Sequence, residues 1–168
     1  MVPARCAHAH TGDFLVEVEP VIRDLSSGSS GFRLAIGSPI SHKELSRVGD
    51  RILGDPSPTP EPFAWEQRGT KLESLENADQ ALREMIDGQI SEIKRLSLES
   101  LIKEFAASCP DRPSMRQVMH LAALAWIADF NTLMDYEKTF ERGYHLNFAP
   151  MITRGMIHRA VEIALERT

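Results

Sequence analysis

Six histidines and two cysteines are the side chains of this chain best suited to chemistry, and their spacing sorts most of them into three groups. Cys6, His8 and His10 form a C-x-H-x-H run. Extended, all three would face one side, and a thiolate with two imidazoles suits zinc. A zinc site also needs a further fixed ligand and partners that orient the imidazoles. The flanking residues Met1 to Thr11 are small, polar and unpatterned and supply neither, so adventitious metal capture is the expectation for Cys6, His8 and His10.

His120 sits within a helical pattern, where it could act as a general base if a carboxylate oriented it. A hydrogen-bonded histidine at the core margin is the simpler reading. Asp129 follows nine residues later, about 180° around a continuous helix, so the two cannot form a dyad on one helix. Glu141, His145 and His158 are the third group, and they would approach a metal-binding set if the last helix folded back over the loop after Gly143. Their spacing matches no H-E-x-x-H signature, and His158 with Glu162 at i,i+4 makes an ordinary exposed helix pair. No G-x-S-x-G elbow, Walker loop or G-x-G-x-x-G occurs.

The element that must position most of these residues is the stretch 114–134, SMRQVMHLAALAWIADFNTLM. From Val118 to Ala128 it carries no Asp, Glu, Lys or Arg, which predicts a helix enclosed by the rest of the protein. It is too short to cross a bilayer, which takes about 20 apolar residues. Pro110 and Pro113 exclude helix upstream, and Ser114 with Gln117 has capping-box spacing. Ala122, Ala125 and Val118 form a small-residue column for a neighbouring helix. Asp129 projects into the same column, so it must be paired, capped or protonated.

Before this helix, Phe14 to Ile22 alternates as a strand with one wet face, with Pro20 pointing to an edge or bulge at its far end. Phe32 to Ile36 is the return strand of a hairpin across the Ser26–Gly31 loop. Ser41 and Glu44 have capping-box spacing for a helix that Gly54 ends and that would cover the hairpin. Asp55 to Pro62 holds four prolines in eight residues and favours extended backbone. Phe63 and Trp65 then alternate like a short strand or a docking arm. A long helix from about Glu76 breaks near Ser97, because its apolar stripe changes side there. A further helix ends before Pro110, another stops at Gly143, and the last starts near Arg154, burying Met156, Ile157, Ala160, Val161 and Ala164.

The fold class expected is therefore α+β and predominantly α. An N-terminal β-hairpin plus helix precedes a bundle of four or five helices around 114–134, with short connections giving antiparallel neighbours. The segments are 1–12 loosely ordered, 13–54 β-hairpin and helix, 55–70 a Pro-rich connection and 71–168 the helical bundle, together one compact domain. The length of 168 residues suits one domain, and a formal charge of −5 with interspersed signs argues against a nucleic-acid surface. Two distant cysteines make no disulfide framework, and no N-terminal apolar stretch or long apolar run signals secretion or membrane insertion. A cytoplasmic location without membrane contact is expected.

The loop Tyr144 to Ile152 carries too many apolar groups for a solvated connection: Tyr144, Leu146, Phe148 and Met151, with His145, Asn147 and Arg154 as a polar border. These residues either fold inward or are held for a partner, and the same question applies to Phe63 and Trp65. With no catalytic constellation or cofactor motif, the expected function is non-enzymatic binding of another protein, as an adaptor or chaperone-like module, with a homodimer as one form. In size, acidity and α+β make-up the chain resembles small bacterial secretion chaperones, a likeness of gross properties without a shared motif. The alternative is a hydrolase-type enzyme using His145 or His120 with Asp129, Glu137 or Glu141, with or without a metal.

Overall fold

The computed structural model describes residues 7–24, 31–54, 64–109 and 115–168. The architecture is α+β and predominantly α, as the patterning predicts. Four strands lie in the order β1 (Ala7–Thr11), β2 (Phe14–Asp24), β3 (Phe32–His42) and β4 (Ala64–Leu72). The expected hairpin is β2 with β3, and a strand is added at each side.

β1 forms where a loose terminus is expected. Gly12, at φ 64°, supplies a tight turn that sets Thr11 opposite Phe14 and Ala7 opposite Val18. Pro20 lies within β2, two residues past Val18, the partner of Ala7. β4 contains Trp65 opposite Pro39 of β3, while Phe63 lies outside the described residues. After a 3-10 turn, α2 (Ala78–Ile93) packs on β1, β2 and β4, and these five elements make one compact unit.

The second unit consists of α1 (Lys43–Leu53), α3 (Leu98–Ala107), α4 (Met115–Trp126), α5 (Phe130–Glu141) and α6 (Arg154–Leu165). α1, the 41–54 helix expected to cover the hairpin, groups with these helices, and the helix packed on the strands within the first unit is α2. Its cap also differs: β3 runs on to His42, whose Nδ1 accepts from the Leu45 N–H, while Glu44 pairs with Arg47. Gly54 ends α1 in the left-handed conformation, as read from sequence. Arg159 of α6 completes that end, donating from Nε to the Ile52 carbonyl at 2.7 Å and from Nη2 to the Leu53 carbonyl at 3.0 Å.

α4 is the centre of the helical unit. Val118 to Ala125 are all buried, and α1, α3, α5 and α6 pack around them. The apolar run forms one helix only as far as Trp126, not through residue 134. Ala128 adopts φ 54°, its N–H bonds to the Ala125 carbonyl, and the Asp129 N–H bonds back to the Leu124 carbonyl. This is a Schellman terminator built on alanine where glycine is usual. Asp129 then caps α5, accepting from the Thr132 N–H at 3.2 Å and the Thr132 hydroxyl at 2.8 Å. The carboxylate needing a partner thus finds it by starting a new helix. Ala128→Gly should relieve the left-handed strain and raise stability by about 0.5–1 kcal/mol, read as a shift in urea midpoint at constant slope.

The break near Ser97 is present, with the Ser97 hydroxyl capping α3 through the Ser100 N–H. α6 buries the predicted stripe, Met156, Ile157, Ala160, Val161 and Ala164. Among the described residues no helix is long and apolar enough to cross a membrane.

Candidate functional site

Between α5 and α6 the chain makes a loop held at both ends. Gly143, at φ 81°, closes a second Schellman turn, with the Tyr144 N–H reaching the Thr139 carbonyl. Two further turns follow, the Phe148 N–H bonding to the His145 carbonyl and the Ile152 N–H to the Ala149 carbonyl. Thr153 caps α6 through the Met156 N–H.

The middle of this loop is pinned by Gln117 of α4, which is 0% exposed. Its Nε2 donates to the Asn147 carbonyl at 3.0 Å, and its Oε1 accepts from the Ala149 N–H at 2.8 Å. One amide thereby satisfies two loop backbone groups, as a neighbouring strand would. Gln117 is thus a loop anchor; its expected capping-box partner, Ser114, lies outside the described residues.

The clamp divides the loop. Phe148, Ala149 and Ile152 turn inward and are buried, whereas Tyr144, Leu146 and Met151 are 69%, 54% and 46% exposed. His145 and Asn147 are exposed beside them. Leu146 adopts φ 52°, a region that a branched apolar residue rarely occupies. Phe148, expected with the outward group, packs edge-on to Tyr136 at 5.1 Å and to Phe140 at 5.7 Å.

Beneath Phe148 lies His120, 2% exposed. Its Nδ1 is 2.6 Å from the Phe105 carbonyl, which can only accept, so Nδ1 carries the proton. Nε2 is then the acceptor for the Tyr136 hydroxyl at 3.1 Å. Burial holds the imidazole below the usual histidine range, while the Phe105 carbonyl and the charge of Asp129 act more weakly in the opposite sense. Burial, with smaller contributions from Cys109 and Asp129, raises the Tyr136 hydroxyl above its ordinary value. The break after α4 is what brings Asp129 within electrostatic reach of His120, contrary to the continuous-helix geometry.

A family model matches residues 3–165. The chain belongs to the family of unknown function DUF6990. No curated protein and no solved structure matches it.

In this DUF6990 chain the remaining sequence candidates are dispersed. Glu141 pairs with Arg154, His158 pairs with Glu137 at 2.7 Å and lies 3.6 Å from Glu162, and His145 stacks edge-on against Phe140. The structure therefore does not assemble Glu141, His145 and His158 into one set. Cys6 lies outside the described residues; His8 and His10 fall opposite Glu17 and Leu15 in the β1–β2 register. Among the described residues, no three His, Cys, Asp or Glu side chains gather where a metal could be held. A cavity of about 520 Å³ in the sheet unit is lined by Gly69, Thr70, Ala81, Glu84 and Met85, none of them a sequence candidate.

Sequence reading did not single out Tyr136 or the anchoring role of Gln117. The available signal was compositional: Gln117 and His120 are polar residues at either edge of an uncharged helix start, and a buried polar group requires a partner.

Proposed function

We propose that the chain is a non-enzymatic, cytoplasmic protein-binding module, of adaptor or chaperone-like type, whose partner docks on the loop after Gly143. The observation that carries this reading is the outward display of Tyr144, Leu146 and Met151 on a loop whose backbone is fixed from inside by Gln117. Fixing a loop in advance lowers the ordering cost of binding. Holding a leucine at positive φ costs stability, and that cost on an exposed apolar side chain supports a surface kept for a partner. His145, Asn147 and the paired Arg154–Glu141 supply a polar rim around the apolar residues. The hydrolase alternative fares worse, because both His120 nitrogens are engaged in the interior and the other carboxylates and imidazoles face separate partners.

The test uses Leu146→Asn, since asparagine tolerates the left-handed backbone better than leucine while removing the apolar group. A photo-crosslinking amino acid is placed at Tyr144, and a control chain carries it at exposed Lys103. The expected result is one discrete adduct at position 144, either a second copy of this chain or a different protein. In purified form that complex should bind about 30-fold more weakly with Leu146→Asn, a hot-spot loss of about 2 kcal/mol. The same variant should unfold at equal or higher urea. Yield at 144 no greater than at 103, or binding unchanged by Leu146→Asn, overturns the reading.

A further inference from the structure

A chain of ring contacts connects the buried His120 to the displayed loop. Phe148 is the loop's aromatic anchor, packed edge-on to Tyr136 at 5.1 Å and lying 6.4 Å from the His120 ring. Phe140 joins the same cluster and carries His145 against its other contacts. Tyr136 is thus the residue shared by the two contacts, its hydroxyl on His120 and its ring against Phe148.

Both His120 nitrogens are committed. Nδ1–H donates to the Phe105 carbonyl, and Nε2 accepts the Tyr136 hydrogen. A second proton on the ring has one place to go, Nε2, which the Tyr136 hydrogen already faces. An imidazolium is a donor at both nitrogens. Tyr136 must then turn its O–H away and present a lone pair, and the charged ring must be accommodated where it is nearly sealed from water. Among the described residues the surrounding groups are few. Asp129 from the start of α5 favours the extra proton, the Tyr136 hydrogen directed at Nε2 occupies the place it would take, and Cys109 beyond α3 acts on Tyr136. Arg116, one turn earlier on α4, is drawn toward α3, with its guanidinium over the Phe105 ring and an ion pair to Glu104. α3 otherwise offers the Phe105 carbonyl, and the loop offers Phe148.

We propose that His120 and Tyr136 form a proton-operated latch: protonating His120 inverts the Tyr136 hydrogen bond, displaces Phe148 and frees the loop that displays Tyr144, Leu146 and Met151. The latch concerns the loop alone; regulation of partner capture by acid rests in addition on the binding reading above. The sign follows from burial. Folding holds His120 below its ordinary value of 6.5, so the closed loop binds fewer protons than an open one in which His120 is solvated. Closure is at full strength above that ordinary value, weakens as pH falls through it, and stops weakening below the depressed value of the closed state.

The experiment is amide hydrogen exchange of the full chain from pH 7.5 to 4.5, corrected for intrinsic rates, comparing Ala149 and Ile152 with Ala160 of α6. Opening at Ala149 and Ile152 should rise by about ten-fold per pH unit below about 6.5, the linkage for one proton, while the ratio to Ala160 rises with it. Tyr136→Phe, which removes the hydrogen that opposes protonation, should leave the loop closed at pH 7.5 and narrow the acid-sensitive range. His120→Gln should abolish the slope, and His145→Asn should leave it intact. A loop whose opening does not respond to pH, or a slope abolished by His145→Asn, overturns the latch. If His120→Gln does not fold, the Tyr136→Phe and His145→Asn profiles decide. A loop that opens in acid but yields no crosslink at 144 sinks the binding reading alone; a loop that crosslinks but ignores pH sinks the latch alone.

Discussion

Replacing Gln117 by leucine is expected to destabilise the protein by about 2–3 kcal/mol, although leucine is similar in size and better suited to an apolar interior. The reason is that the loss falls on the loop and not on the helix. Without the amide, the Ala149 N–H is left buried with no acceptor from Gln117, and the Asn147 carbonyl loses its donor. An unsatisfied buried group costs about 1–3 kcal/mol, and the Asn147 carbonyl, on an exposed residue, recovers part of its share from water. Gln117→Glu should be at least as damaging at neutral pH: it keeps an acceptor for Ala149 but sets a carboxylate against the Asn147 carbonyl. Urea unfolding gives the magnitude. Chymotrypsin gives the location, since cleavage at Tyr144 or Leu146 should accelerate before global unfolding does. Unchanged cleavage with a full loss of stability would place the role of Gln117 in the helix instead.

The second large effect is expected at Gly49 on α1. A Cβ at this position would lie 2.6 Å from Met119 Cε on α4, with Val118 next nearest at 3.9 Å. Met119 is fully buried, yet the conflict is with the end of its flexible side chain. Gly49→Ala should therefore be close to neutral, the helix gain of about 1 kcal/mol offsetting the displaced methyl. Gly49→Leu has no such escape and should cost about 3 kcal/mol by overpacking. Met119→Ala in the same chain opens the space that leucine needs. The double variant should be more stable than the two single losses predict, with a coupling of at least about 1 kcal/mol. Additive losses would mean that α1 and α4 meet elsewhere.

What could be read from sequence was what local chemistry decides. Ser97, Gly54 and Gly143 act through their own backbone or hydroxyl groups, and the structure uses each as expected. The contrast between the two Schellman turns marks the limit. Gly143 announces its turn by residue type; Ala128 makes the same turn without the glycine, so the helix appeared continuous. Gln117 shows the limit differently, since its partners lie 30 and 32 residues away and no local spacing rule reaches them. The loop after Gly143 was legible as a whole, too apolar for solvent, but its division was not. Phe148 goes inward because Tyr136 and Phe140 form a seat for it, and that seat exists only once α5 has folded.

The tie between Arg159 and the end of α1 bears on the order of events during synthesis. The two partners are 107 residues apart. At about 5–20 residues per second, α1 spends roughly 5–20 s outside the ribosome before the arginine that caps it has been made. Throughout that interval its last carbonyls lack this donor and its apolar face lacks both α4 and α6. The sheet and α2 are complete much sooner. The nascent chain thus holds every residue of the β unit while α1 still lacks its partners, and this interval is when a chaperone would have most to shield.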